Sequence, residues 1–107
     1  MKWTVTFYSE NVRDEIFKLP PKVQAKLIRE MEMVKDYGPT LGLPHVRMMG
    51  DGLYEIRAKA PDGSARSFFC TQKGQELIIL HTFMKKSKKT PKKELRLAQR
   101  RLKEVKS

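Results

Sequence analysis

Apolar and β-branched positions crowd residues 3 to 8, WTVTFY, which reads as a short first strand. Ser9 and Asn11 are capping types just before a change of period. Val12, Ile16 and Leu19 then keep i, i+4, i+7 spacing, which predicts a short amphipathic helix from Glu10 to Lys18. Pro20-Pro21 ends it, because a proline donates no amide hydrogen bond, and Pro21 suits the first turn of the next helix. Val23, Leu27, Met31 and Val34 mark one face of that second helix, and Gly38-Pro39 stops it near Tyr37.

Glycine and proline dominate residues 38 to 52, so a loop is expected there, with at most a short strand around His45 to Met49. LYEIRAKA (53 to 60) alternates cleanly: Tyr54, Ile56, Ala58 and Ala60 share one face, and Glu55, Arg57 and Lys59 the other. Pro61-Asp62-Gly63 supplies a turn, and RSFFCTQ (66 to 72) is the return strand. ELIILHTFMK (76 to 85) is apolar on both faces, as in a strand buried on both sides. Thr90-Pro91 opens a last helix, with threonine as N-cap and proline at the first position. Its apolar stripe is Leu95, Ala98, Leu102 and Val105, and Lys93, Arg96, Arg100, Arg101 and Lys103 line the opposite side. The order β-α-α-β-β-β-β-α implies an α+β fold: a mostly antiparallel sheet, two N-terminal helices and a basic C-terminal helix.

With 107 residues, a single domain spanning 1-107 is expected, with no internal repeat. One cysteine, Cys70, excludes an internal disulfide framework, and with two histidines it leaves no spaced zinc-ligand set. No segment has the roughly 20 apolar residues of a membrane span, and the start lacks a signal-peptide pattern. The default expectation is a soluble cytoplasmic protein without a membrane role.

Charge changes this picture. The net charge is +11, from 23 basic and 12 acidic side chains. Residues 1 to 83 hold twelve basic and ten acidic groups, and residues 84 to 107 hold eleven and two. A polyanion, nucleic acid above all, is the natural partner; a solvated basic tail is the plainer alternative.

A Gly-rich phosphate loop, HExxH and CxxC are all lacking. Cys70 and His81 fall on neighbouring strands, but a packed cysteine and a satisfied histidine are the favoured reading. Met31, Met33, Met48 and Met49 are read as core filling. The strand cations carry more information. If the turn spans Ala60 to Gly63, Lys59 faces Ser64 and Arg57 faces Arg66 across the ladder; a three-residue loop would put the arginines on opposite faces. Opposed like charges destabilise a sheet unless an anion sits between them. The plainer alternative pairs Arg57 with Glu55 and leaves Arg66 solvated at an edge. Lys85, Lys86, Lys88 and Lys89 leave the end of the last strand, with Lys85 or Lys86 within reach of the arginines. Such a cluster around one phosphate stabilises the surplus charge of a pentavalent transition state. In RNA the neighbouring 2′-hydroxyl is itself a nucleophile, so cleavage there requires no metal.

Leu53-Tyr54-Glu55-Ile56-Arg57, Arg66-Ser67-Phe68-Phe69 and the run from Ile79 to Lys86, closing with Lys89-Thr90-Pro91-Lys92-Lys93-Glu94, resemble the RelE/ParE toxin superfamily, nearest its HigB-like, phage-derived branch. The resemblance implies a small RelE-like fold and the toxin of a type II toxin–antitoxin pair. Its implied activity is that of a ribosome-dependent, metal-independent mRNA endonuclease cleaving by 2′-hydroxyl attack in the ribosomal A site, without cofactors. The implied partners are mRNA on the ribosome and a helix-turn-helix antitoxin, through which alone operator DNA is contacted. Carried over by position, Arg57 matches a basic residue of the second hairpin strand used in catalysis, and Arg66 the arginine that stabilises the transition-state phosphate. Lys86, with Lys85 beside it, matches the basic residue after the last strand. Glu55 stands where RelE itself has a lysine assigned as general base, and no tyrosine follows Lys85-Lys86. The base and base-stacking roles are therefore unassigned, with Glu55 either a base or an ion-pair partner. Lys59, Lys88, Lys89, Lys92, Lys93 and Arg96 are the expected RNA-binding set. Two other readings stand beside this one: a ParE-like gyrase inhibitor, and a non-enzymatic RNA- or ribosome-binding module using the basic C-terminal helix.

Overall fold

A computed structural model describes residues 2 to 86 and 88 to 107. The elements follow the order β1 (Thr4–Phe7), α1 (Glu10–Phe17), α2 (Pro21–Tyr37), a 3₁₀ turn (Pro39–Leu41), β2 (Val46–Gly50), β3 (Leu53–Ala60), β4 (Gly63–Gln72), β5 (Glu76–Lys85) and α3 (Lys92–Lys106). This is the expected α+β sequence of elements. The five strands form one sheet in the order β1-β5-β4-β3-β2, with β1 parallel to β5 and every other pair antiparallel.

Local chemistry explains the helix ends. The Ser9 hydroxyl accepts from the Val12 amide at 3.2 Å and caps α1. Gly38 closes α2 at φ +82°, where a side chain would be strained and its Cβ would lie 2.7 Å from the Trp3 ring nitrogen. The expected cap of α3 is a correction: Pro91 holds the N-cap position, with no side-chain cap. The Thr90 hydroxyl instead donates to Glu55 Oε2 at 3.3 Å, because that buried acid needs a donor more than the exposed helix end does.

Two cores share the sheet. On one face α1 and α2 lay Val12, Ile16, Val23, Leu27, Met31 and Val34 against Ile56, Ala65, Phe69 and Ile79. On the other, α3 packs Ala98 and Leu102 on Leu53, Phe68, Cys70 and Leu80. Adjacent Phe68 and Phe69 thus fill opposite cores, both fully buried, and truncating either to alanine costs about 3–5 kcal/mol. Arg101, assigned by pattern to the solvent side of α3, is half-buried: it donates to the Leu80 carbonyl at 2.6 Å and lies 4.9 Å from the Tyr8 ring centroid. Met31 fills the core as expected, whereas Met48, on edge strand β2, is 76% exposed and fills nothing.

Strand β4 starts at Gly63, three residues earlier than its apolar run suggests, because Ala60 pairs with Gly63 across a two-residue Pro61-Asp62 turn. That register places Lys59 opposite Ser64 and Arg57 opposite Arg66. Further along, β5 carries an extra residue, Leu80, between the Phe68–His81 and Phe69–Ile79 pairs. The bulge turns both Leu80 and His81 toward α3: Leu80 joins its core, and His81 Nε2 lies 2.7 Å from Glu94 Oε2.

Candidate nucleic-acid interface and active site

The β3–β4 register puts two guanidinium groups side by side on one sheet face, and β5 brings Phe83 and Lys85 opposite Arg66 and Ser64. Arg57, Lys59, Ser64, Arg66, Lys85, Lys86 and Lys88 line one open pocket of about 440 Å³. Six of the seven are cations, drawn from three strands and the start of the β5–α3 link. Among the described residues no carboxylate joins them on its wall.

Glu55 lies beneath that wall rather than on it. Its side chain is 1% exposed, and Oε1 is 3.6 Å from Arg66 Nε. Arg66 is also buried, and its Nη1 donates to the Ala65 carbonyl at 3.0 Å. This corrects two expectations. Arg66 is not a solvated edge residue, and the partner of Glu55 is Arg66 rather than Arg57. The reason is diagonal geometry: Glu55 pairs with Phe68, so Arg66 is its near neighbour on the same face of β4.

Electrostatics agree with crowding. Burial pulls the Arg66 guanidinium below its ordinary value; Glu55 opposes this, and Arg57 and Arg47 add to it. Lys85 is lowered too, first by desolvation and then by Arg66, with Glu55 opposing and Arg57 and Arg47 reinforcing. Arg47, on β2 directly opposite Glu55, was not in the sequence-derived set. Its strand lies in a Gly- and Pro-rich stretch whose periodicity is too short to fix a face.

A second pocket of about 330 Å³ shares Arg57, Lys59 and Arg66 and adds Lys26, Glu30, Pro44 and His45. Glu30 and His45 were also missed. The signal for Glu30 was present: an acid at an apolar-stripe position of α2, between Leu27 and Val34, is buried with them at 2% exposure.

The expected RNA-binding residues divide. Lys59 and Lys88 line the basic pocket, whereas Lys89, Lys92, Lys93 and Arg96 are exposed and lie outside its wall. Cys70 and His81 do not meet as a pair, since Cys70 faces Ile78 and His81 faces Phe68. Burial pushes the Cys70 thiol up, which keeps it protonated and unreactive. His81 lies between two acids, 2.7 Å from Glu94 and 3.5 Å from Glu15. Among the described residues no group of three or more His, Cys, Asp or Glu is placed to hold a metal ion, and no helix is long and apolar enough to cross a membrane.

What the arrangement offers chemically is a concentrated positive potential at one point of the sheet. One of its guanidinium groups, Arg66, is held beside a buried acid, and the open pocket of about 440 Å³ leaves the cations accessible to a phosphodiester. The sequence model of the family described as Phage derived protein Gp49-like (DUF891) matches residues 14–103, from α1 into the last turns of α3, and so includes every residue of both pockets. No curated protein matches the chain.

Proposed function

The chain belongs to the family of Gp49-like phage-derived proteins, and from that premise we propose that it is the toxin of a toxin–antitoxin pair, an endoribonuclease that cuts translated mRNA. One observation carries the reading: the Arg57–Arg66 pair, directly opposed and backed by Lys85, in a basic pocket that among the described residues has no acid on its wall. A stable fold keeps such repulsion where an anion relieves it.

In this reading the scissile phosphate docks between the two guanidinium groups. The 2′-hydroxyl of the preceding ribose attacks, and the phosphorane gains negative charge that Arg57 and Arg66 neutralise. Lys85, whose lowered proton affinity makes it a readier donor, protonates the departing 5′ oxygen, and Lys86 and Lys88 hold the adjoining backbone. Glu55 is a positioning residue: buried, bonded by Thr90 and beside Arg66, it fixes the guanidinium rather than touching RNA. The ribosomal A site would supply the ordered mRNA, and a helix-turn-helix antitoxin would cover the groove and link the pair to its operator.

The test is induced expression of the chain alone, followed by mapping of transcripts. The expected result is growth arrest, with translated messages cut inside reading frames. Arg57→Ala, whose side chain is half-exposed, should leave the fold intact and slow cleavage by at least ~100-fold, the scale of losing one transition-state charge stabiliser. Broken DNA with intact messages would assign gyrase as the target instead. RNA binding without any cut would reduce the protein to a ribosome-associated module.

A further inference from the structure

Glu30 poses a question that the basic pocket does not answer. A carboxylate whose side chain is 3% exposed needs compensation, and it has two partners: Lys26 Nζ at 3.2 Å from Oε1 and His45 Nδ1 at 2.7 Å from Oε2. A carboxylate only accepts hydrogen bonds, so Nδ1 carries the hydrogen and donates it. In the neutral ring, Nε2 then holds the lone pair. The backbone fixes the ring's base as well. The His45 carbonyl accepts from the Arg57 amide at 2.9 Å, one step beyond the last ladder pair, Val46–Ile56. The imidazole is 29% exposed, and it lines the pocket whose other walls are Arg57, Lys59 and Arg66.

Nucleophile activation needs a proton acceptor beside the scissile phosphate, its tautomer set by a third group. The elements of that arrangement converge here on one wall, and Glu55, buried under Arg66, is not placed for the task. Resting on the nuclease reading above, we infer that His45 is the general base that deprotonates the attacking 2′-hydroxyl, with Glu30 as its positioning residue. The 2′-hydroxyl proton passes to His45 Nε2 as the O2′–P bond forms. The P–O5′ bond breaks, and the 5′ oxygen takes a proton from the Lys85 ammonium. The products are a 2′,3′-cyclic phosphate and a 5′-hydroxyl; water then restores the proton to Lys85 and removes the one on His45. The charged groups facing the ring are Glu30 and Lys26 from α2, Arg57 and Lys59 from β3, and Arg66 from β4.

The experiment is single-turnover cleavage of a short mRNA on programmed ribosomes by the full-length chain, across pH 5 to 9. His45→Gln keeps an amide donor for Glu30 but accepts no proton. It should lose at least ~100-fold in the cleavage step, within the usual range for general-base removal, with ribosome affinity near normal and the acidic limb of the pH profile flattened. His45→Ala should regain activity when imidazole is added. Glu30→Gln should lose less than either while retaining the acidic limb. Thermal melting of each variant separates lost chemistry from lost fold. The inference is overturned if His45→Gln cleaves within a few-fold of wild type with the acidic limb intact, or if a folded His45→Ala gains nothing from imidazole. If the wild-type chain leaves ribosome-bound mRNA uncut, the nuclease reading fails, and this assignment falls with it.

Discussion

Two ionic clusters lie a few residues apart on the α3 side of the sheet, and they are built to opposite ends. At Arg66, one buried acid, Glu55, serves a guanidinium crowded by Arg57, Lys85 and Arg47, and the surplus cations open onto a pocket. At His81, two residues along the ladder, the ratio is reversed: one imidazole, 8% exposed, lies between Glu15 of α1 and Glu94 of α3. The first cluster is short of negative charge and accessible. The second has enough acid to satisfy a proton on the ring, keeps that ring buried between half-buried carboxylates, and ties both helices to β5. A buried charged group is therefore uninformative by itself; what separates a binding site from a brace is the local balance of charge and whether solvent reaches it.

The largest expected effect comes from upsetting the first balance. Arg66→Ala removes a transition-state partner and also leaves Glu55 buried beside a hole. Cleavage should fall by at least ~100-fold, and the fold should lose about 3 kcal/mol, the scale of an orphaned buried ion. The Arg66→Ala, Glu55→Gln double variant should recover most of the stability and none of the activity. Denaturant titration alongside a cleavage assay reads both. If the double variant cleaves normally, the groove is not the reaction centre.

The second cluster should respond to pH and leave chemistry alone. Burial disfavours a charged His81, but its contacts with Glu15 and Glu94 outweigh that, and the net effect raises the ring above its ordinary value. A raised group stabilises the fold in full below its unfolded value, near 6.5, and that contribution fades as pH climbs through the folded value. The melting-temperature gap between wild type and His81→Gln should thus be wide at pH 6 and narrow at pH 9. A gap that stays constant, or widens on the alkaline side, would rule out the brace.

Much of this contrast was legible in the chain and some was not, for identifiable reasons. Helix faces and strand limits follow from spacing that repeats over a dozen residues. The Arg57–Arg66 pair was legible only conditionally, because one residue more or less in the turn reverses its meaning. Gly63, at φ +141°, closes the short version by pairing with Ala60. The bulge at Leu80 left no trace, since ELIILHTF is apolar on both sides and has no period of two to interrupt. Thr90-Pro91 looked like a cap in isolation, and only the distant Glu55 shows why the hydroxyl turns elsewhere. The Glu30–His45 contact joins mid-helix α2 to the residue before β2, and local pattern does not report pairs fifteen residues apart.

The smallest expected effect sharpens the comparison at its margin, where the basic groove gives way to the exposed lysines of α3. Lys92 and Lys93 are solvent-exposed and stand outside the pocket wall, so they keep the hydration of free surface lysines. Groups of this kind act on RNA by releasing counterions, which makes their contribution depend on salt and not on the chemical step. Replacing both by glutamine should flatten the slope of log affinity against log salt by about 0.7 for each single-strand phosphate that is no longer neutralised. Affinity near physiological salt should drop only a few-fold, and the cleavage rate of bound mRNA should hold. Arg57→Ala should differ in the rate: the slope should change by no more than the one phosphate it contacts, about 0.7, while the cleavage rate of bound mRNA falls steeply. Fluorescence-anisotropy titration of a short RNA at four salt concentrations distinguishes them. An unchanged slope in the lysine variant would confine RNA binding to the pocket and leave the positive charge of α3 to some other polyanion.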